Sequence, residues 1–229
     1  MKYGEIVRGK LIKRVNRFIA EISINGIEED VHVKNTARLK ELLLPGAEVL
    51  MECSNNPNRK TRYSLIAAAK NDIWVNIDSQ APNAIAFEAL RAGKLKEFGS
   101  VTYIKKEVTY ENSRFDLYYK KEDEKGFIEV KGVTLEKNGI AMFPDAPTKR
   151  GVKHVLELAK SAEDGYSAAI LFIVQMKGCQ AFVPNRDMDE AFADALLKAV
   201  QQGVRILAYD SIVKEDELLL DRPIPVHPI

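Results

Sequence analysis

Glu129 and Lys131 stand two residues apart in the run Phe127-Ile-Glu-Val-Lys-Gly-Val, and Asp116 stands in an earlier run, Ser113-Arg-Phe-Asp-Leu-Tyr-Tyr. Both runs are rich in β-branched and aromatic residues. The link between them, residues 120–126, is charged and ends in glycine, so the pair reads as an antiparallel hairpin. On a strand, residues i and i+2 share a face. Glu129 and Lys131 therefore point one way and Ile128 and Val130 the other, and Asp116 lies near Glu129 if the register allows. Two carboxylates converging with an ammonium make a hard-cation site for Mg2+ or Mn2+. The lysine would orient or stabilise a charged reactant there. The alternative is a row of solvated charges on a half-exposed strand. Against it, Phe127, Ile128, Val130 and Val133 make the strand apolar enough to be central, where an unpaired Glu and Lys are costly. A buried ion pair meets that requirement equally well.

Further candidates surround this core. Glu88 falls in a helical stretch, residues 83–92, whose apolar stripe is Ile85, Ala86, Ala89 and Leu90; it is either a third oxygen ligand or a surface glutamate. Gln175 and Lys177 form a second i, i+2 pair at the end of the apolar run 168–174. Lys149, Arg150, Lys153 and His154 crowd the first turns of a helix expected from a Thr148 cap through residue 162. Cations there oppose the helix dipole, a small cost that makes sense beside an anion. His154 either faces a phosphate or covers the core. Near the N-terminus, Lys13-Arg14-Val-Asn16-Arg17-Phe18 and Arg59-Lys60-Thr61-Arg62-Tyr63 interleave cations with aromatic rings. Such clusters suit a groove for a single strand of nucleic acid, by phosphate neutralisation and base stacking. Solvated barrel loops are the plainer reading.

The elements that must carry these residues fall into two groups. Residues 5–14, 17–24, 27–33, 48–53, 63–69 and 73–75 read as short strands, with the hairpin signal Asn25-Gly26 between the second and third. Residues 36–44 suit a short helix through Leu39, Leu42 and Leu43, stopped by Pro45-Gly46. This set fits a small closed β-barrel of OB-fold or SH3-like type. Residues 78–82 are a polar connector, which divides the chain into 1–80 and 81–229. Beyond it come the helix at 83–92, a strand at 103–108, the hairpin, a strand at 140–143 and the Thr148 helix. A buried parallel strand at 168–174, a helix at 187–202 and a strand at 204–209 follow, and an extended tail starts at residue 223. The order describes an α/β sandwich around a mixed sheet.

Composition sets the limits. The chain has 229 residues, 46% hydrophobic and 29% charged, in the range of ordinary globular proteins. No apolar run approaches the ~20 residues that span a bilayer, so no membrane partner is expected. The first six residues contain no h-region, which points to a cytoplasmic location. Cys53 and Cys179 form neither a disulfide framework nor a zinc pattern, so no disulfide is expected. The net charge of +1 divides as 13 Lys and Arg against 10 Asp and Glu in residues 1–80, with 21 against 23 in the rest. A polyanion would therefore be held by local patches, not by bulk charge.

Two resemblances add to this. A helix Glu, a strand Asp and a following Glu-x-Lys resemble the PD-(D/E)xK nuclease superfamily, with Phe115 where its proline would stand. That likeness implies Glu88, Asp116 and Glu129 as metal ligands and Lys131 as the catalytic lysine; Gln175 and Lys177 resemble a further motif of some members. A longer series recurs in order: Asn16-Arg17-Phe18, Pro45-Gly46, Asn58-Arg59-Lys60-Thr61, Ser113-Arg114-Phe115-Asp116, Glu129-Val130-Lys131, Phe143-Pro144-Asp145-Ala146 and Arg150-Gly151-Val-Lys153-His154. Over nearly the whole chain it is similar to the sugar fermentation stimulation protein A (SfsA) family. The likeness implies an N-terminal OB-fold, a nuclease-like second domain and DNA as partner, with little sequence specificity. It also makes Asp145 a candidate site residue. Ala37 and Lys149 depart from the glycine and glutamate expected of the family. The expectation is a DNA-binding protein with a Mg2+- or Mn2+-dependent phosphodiesterase site; the alternative is a DNA-binding regulator of sugar-metabolism genes whose nuclease fold does not cut.

Overall fold

The computed structural model describes residues 1–227. Six strands build the first domain: β1 (Ile6–Arg14), β2 (Ile19–Ile24), β3 (Ile27–Val33), β4 (Glu48–Cys53), β5 (Tyr63–Lys70) and β6 (Ile73–Asn76). The sheet runs β3-β2-β1-β4-β5-β6 and closes on itself where β3 pairs with β5, His32 opposite Ser64. This five-stranded closed barrel is an OB domain; the SH3-like option falls away. Alternation specifies it locally, since β2 reads Ile-Ala-Glu-Ile-Ser-Ile and buries every second residue. Asn25 and Gly26 both take positive φ at the β2–β3 turn, as a two-residue hairpin that matches the strand twist requires. Leu11, Ile22, Val31, Met51 and Leu65 fill the interior.

One local expectation fails. Residues 36–44 form turns, not a helix, with Leu39 at a φ of +49°. Leu39, Leu42 and Leu43 are buried as the pattern demands. The carbonyls of Asn35, Ala37 and Arg38, which a helix would need as acceptors, instead accept hydrogen bonds from the Arg14 guanidinium. A tertiary contact thus outweighs a propensity that is weak over nine residues.

The connector is not a loose tether. Asp78 is buried and bonded to Lys34 Nζ, and its carboxylate accepts the Gln80 N–H. Gln175 donates to Asn76 Oδ1 and the Asp78 carbonyl, joining the two domains through buried amides.

The second domain follows as α1 (Ala81–Arg91), a single 3-10 turn at Lys96–Phe98, β7 (Tyr103–Tyr110), β8 (Ser113–Lys121), β9 (Glu124–Val133), β10 (Leu135–Lys137), β11 (Ile140–Phe143), α2 (Lys149–Glu163), β12 (Ser167–Val174), β13 (Ala181–Pro184), α3 (Glu190–Gln201), β14 (Arg205–Val213) and β15 (Leu218–Pro223). Its main sheet has the order β15-β14-β12-β9-β8-β7, with β9, β12 and β14 parallel and the rest antiparallel. Helix α1 packs on one face, against Ile128, Val130 and Leu171; α2 and α3 cover the other, with Phe127, Phe172 and Phe192. The predicted tail from residue 223 ends in Pro228 and Ile229, outside the described residues. Among the described residues no helix is long and apolar enough to cross a membrane, and Cys53 and Cys179 are both free.

Candidate active site

β8 and β9 pair from Lys121↔Glu124 to Leu117↔Ile128, and there the ladder stops. On the other side, β7 pairs with β8 at Lys106↔Leu117 and again at Val108↔Phe115, passing over Glu107 and Asp116. Glu107 takes a φ of +53° at that level, a left-handed conformation uncommon for a residue with a Cβ and costly inside a strand. The packing of β8 also changes sides here: Leu117 and Tyr119 join the α1 core, Phe115 the α2 core. The sheet therefore parts at Asp116. The Asp116 carboxylate fills the place of the missing strand carbonyl, Oδ2 accepting the Val130 N–H at 2.8 Å and Oδ1 accepting Asn83 Nδ2 at 2.7 Å.

The gap is a pocket of about 270 Å³, with Asp116, Glu129 and Lys131 in its walls beside Ser79, Asn83, Glu107, Arg114, Arg150 and His154. Glu129 is 3% exposed. Its Oε1 accepts from Lys131 Nζ at 2.5 Å and from His154 Nδ1 at 2.6 Å, while Oε2 is buried with no partner. The other ring nitrogen of His154 faces Arg150 Nε at 3.4 Å. Because an arginine N–H can only donate, that contact makes Nε2 an acceptor and puts the ring proton on Nδ1, toward Glu129. Gly132 closes the floor, since a Cβ there would lie 2.5 Å from Gln175 Oε1 and 2.7 Å from Pro82.

The two carboxyls titrate in opposite directions. Burial, then the charge of Glu129, push the Asp116 carboxyl up to about 6, against the bonds from Val130 and Asn83 and the charge of Lys131. Burial also raises Glu129, but the bond from His154 and the charge and bond of Lys131 outweigh it and hold this carboxyl below the usual range. One carboxylate is thus secured and the other pays for its nearness.

Several expected site residues lie elsewhere. Glu88 is not at the pocket: its side chain is 57% exposed and bonds the Met1 amino group at 2.7 Å. Five residues beyond Asn83, it is rotated by roughly 140° around the helix, so α1 offers Asn83 to the site. Lys177 is bound to Asp210 and Asp221. Gln175 is a buried domain-joining amide. Asp145 is half-buried outside the pocket walls. Lys153 donates to the Asn112 carbonyl, and Lys149 is exposed outside the pocket. His154 turns Nδ1 to Glu129 and lines the pocket. Arg150 lines the pocket.

On the barrel, Arg14 is fully engaged. Its guanidinium donates to the carbonyls of Asn16, Arg17, Asn35, Ala37 and Arg38, which occupies all five of its N–H groups, so it has no donor left for a phosphate. Lys13 pairs with Glu21 at 3.1 Å. Arg59 is half-buried, bonded to Ser64 and Thr61. Arg17, Phe18, Lys60 and Arg62 remain exposed, with Arg62 5.3 Å over Tyr63. Sequence reasoning missed Ser79, Asn83, Glu107 and Arg114. Asn83, two positions into a helix headed by Ala81-Pro82, carried no signal separating it from any polar helix residue, and the φ of Glu107 has none.

The chain matches the family model described as the sugar fermentation stimulation protein RE domain over residues 80–217 and that of the SfsA N-terminal OB domain over residues 12–77. A sugar fermentation stimulation protein homolog of Alkaliphilus oremlandii is 54% identical over 225 residues, 96% of each chain. One of Ruminiclostridium cellulolyticum is 50% identical over 226 residues, 99% of each chain. A solved structure described as Pyrococcus furiosus SfsA in complex with Ca2+ superposes with a TM-score of 0.90 at 29% identity, covering 100% of this chain and 98% of that one.

Proposed function

The chain belongs to the sugar fermentation stimulation protein (SfsA) family, and from that premise we propose that it binds DNA and hydrolyses phosphodiester bonds with Mg2+ or Mn2+ at the Asp116–Glu129–Lys131 pocket. The observation that carries this reading is the unspent bonding capacity at the parted strands. Glu129 Oε2 is buried without a partner, and Asp116 is raised partly by the charge of Glu129. A buried acceptor and two mutually repelling carboxylates are the arrangement a divalent cation relieves. Two carboxylates suit Mg2+, which usually takes one or two from the protein and completes its shell with water and substrate phosphate. The Ca2+ of the Pyrococcus furiosus relative is a hard, oxygen-seeking ion of the same kind.

Asp116 and Glu129 would hold the ion, which when bound lowers the pKa of an attached water and neutralises charge on the phosphate. His154 and Lys131 hold Glu129 Oε1, and Oε2 is left without a protein partner. The Lys131 ammonium, beside the same carboxylate, is placed to stabilise an anionic oxygen of the reacting phosphate. Arg114 and Arg150 supply charge for flanking phosphates.

A second reading, a DNA-binding regulator that does not cut, draws on one observation: Glu88, the expected third ligand, is remote and bonded to the Met1 amino group. End-labelled single- and double-stranded DNA incubated with Mn2+, Mg2+ or EDTA, beside the Glu129→Ala protein, separates the two. Metal-dependent cutting lost in the variant supports the nuclease. Binding with no cutting under any condition makes it the regulator.

A further inference from the structure

Strand β7 is an outer edge of the main sheet, paired with β8 on one side only. Alternate peptide groups of an edge strand point away from the sheet and stay open to another strand. From Tyr103 to Lys106 this edge is exposed or half-buried, and among the described residues only β8 bonds its backbone. The left-handed backbone of Glu107 ends the regular stretch.

Where this edge meets the end of α1 lies a groove of about 290 Å³, lined by Phe87, Arg91, Val101, Thr102, Tyr103 and Ile104. Phe87, Val101 and Ile104 are half-buried and give it an apolar floor that continues into the α1 core. The groove shares no residue with the Asp116–Glu129–Lys131 pocket. Charge gathers on its rim. Residues 91–106 contain Arg91, Lys94, Lys96, Lys105 and Lys106 against a single acid, Glu97, and Glu97 is taken by the Tyr209 hydroxyl. All five cations are exposed and, among the described residues, none is ion-paired. Lys106 Nζ lies 4.1 Å over the centre of the Phe87 ring, which places a positive charge at the apolar groove.

We propose that the β7 edge and this groove dock an acidic, partly apolar peptide segment of another protein, bound as an added strand. Its backbone pairs with Tyr103–Lys106, an apolar side chain enters the groove, and its carboxylates meet Arg91, Lys105 and Lys106. In strand addition the main-chain bonds supply affinity and the side-chain pocket supplies specificity. The cations decide between occupants. A second copy pairing edge to edge would set Lys105 and Lys106 against their own kind, and opposed like charges are destabilising. An acidic strand meets the complementary potential instead. Nucleic acid carries no backbone amides for an open strand edge, and Lys106 already covers the Phe87 ring on which a base would stack. The docking site is independent of the proposed reaction.

The test is fluorescence anisotropy on the full chain with three short labelled peptides. One is built of Asp, Glu, Ile and Phe; the second has Lys for every acid; the third has Pro at alternate positions of the first. Proline has no N–H for the ladder. The acidic peptide is expected to bind, more weakly as salt rises, and the other two to bind weaker by about tenfold or more. Arg91→Glu with Lys106→Glu should weaken the acidic peptide by about tenfold or more. Lys105→Glu, a single exposed change, should act in the same direction by a smaller factor. Lys137→Glu with Lys198→Glu, a charge-matched change at exposed lysines outside the groove, keeps wild-type affinity. The proposal is overturned if the wild-type chain leaves the acidic peptide unbound, if the lysine or proline peptide binds equally, or if the control pair weakens binding as much as the groove pair. Single- and double-stranded DNA titrated in EDTA against the same variants identify the rival: DNA affinity lost in the groove pair, with no peptide bound by wild type, makes this edge a nucleic-acid contact.

Discussion

Two carboxylate–lysine clusters sit on one sheet, each centred on a lysine two residues beyond a polar partner, and they differ in what is left over. At the first, Asp210 on β14 is fully buried, Oδ2 accepting Lys177 Nζ at 2.7 Å and Oδ1 the Arg222 N–H at 3.0 Å. Asp221 on β15 binds the same lysine. Every acceptor of the buried Asp210 carboxylate is met, and the cluster locks the β14–β15 edge. At the second, Glu129 has one oxygen doubly bonded and the other bare, and Asp116 is raised toward neutrality. The closed cluster is a structural ion pair; the open one has capacity for a ligand. Spacing alone does not separate them, because the difference lies in the partners that tertiary structure brings.

The largest expected effect separates them most sharply. Glu129→Ala removes a ligand and the acceptor for both Lys131 and His154. It should lower metal-dependent cleavage by about a thousandfold or more, roughly 4 kcal/mol of transition-state stabilisation, with DNA binding in EDTA retained. Cleavage at the wild-type rate would end the assignment of this cluster. Lys177→Ala should do the reverse. Leaving the buried Asp210 without its lysine costs about 2 kcal/mol of stability, less than for a fully enclosed pair because the Lys177 side is a third exposed and Arg222 stays beside the carboxylate. Urea unfolding should show the loss while the folded protein cleaves normally. A specific fall in turnover without a change in stability would mean that Lys177 belongs to the site.

These two cases mark where the sequence could be read. The barrel strands were visible because alternation is local, as in β2, and the α2 start was visible because Thr148 Oγ1 accepts the Gly151 N–H within one turn. The shared face of Glu129 and Lys131 follows from strand period alone. By contrast, β10 and β13 have only three and four residues, and β13 exists through a pairing with β11, 41 residues away, Ala181 opposite Ile140. The partners that make the open cluster are equally remote: Asn83 reaches Asp116 and His154 reaches Glu129 across 33 and 25 residues. Arg14 shows the same limit from the other side, because a basic residue in a basic run looks available until its five carbonyl partners are seen.

His154 sharpens the comparison through a positioning role. If its Nδ1–H fixes Glu129 Oε1 and thereby presents Oε2, His154→Ala should weaken Mn2+ binding about 10- to 100-fold, the usual loss when a ligand-orienting partner is removed. Asn places a donor near the Nδ1 position and Gln near Nε2, so His154→Asn should recover most of the affinity and His154→Gln little. Titration calorimetry with Mn2+ on the three proteins reads this without any cleavage. Equal affinity in all three would reduce His154 to a packing residue.

The smallest effect, and the one of opposite sign, comes from Asp116→Asn. The Asp116 carboxyl is raised from 3.8 to about 6, so the folded chain keeps its proton where the unfolded chain has lost it. Stability therefore declines as pH rises from about 4 to about 6 and stays reduced above. An amide keeps an acceptor for the Val130 N–H and carries no charge against Glu129. The variant should be more stable than wild type by about 1–2 kcal/mol at pH 8, with the advantage shrinking to nothing near pH 4, and it should bind Mn2+ poorly at every pH. In the wild type, Mn2+ affinity should climb as pH passes through about 6, because the ion competes with the Asp116 proton. At the closed cluster an Asp210→Asn change should destabilise instead, since there the charge is matched. A site that becomes more stable when its carboxylate is removed, next to one that becomes less so, would show that repulsion at Asp116 is retained for a ligand and not for the fold.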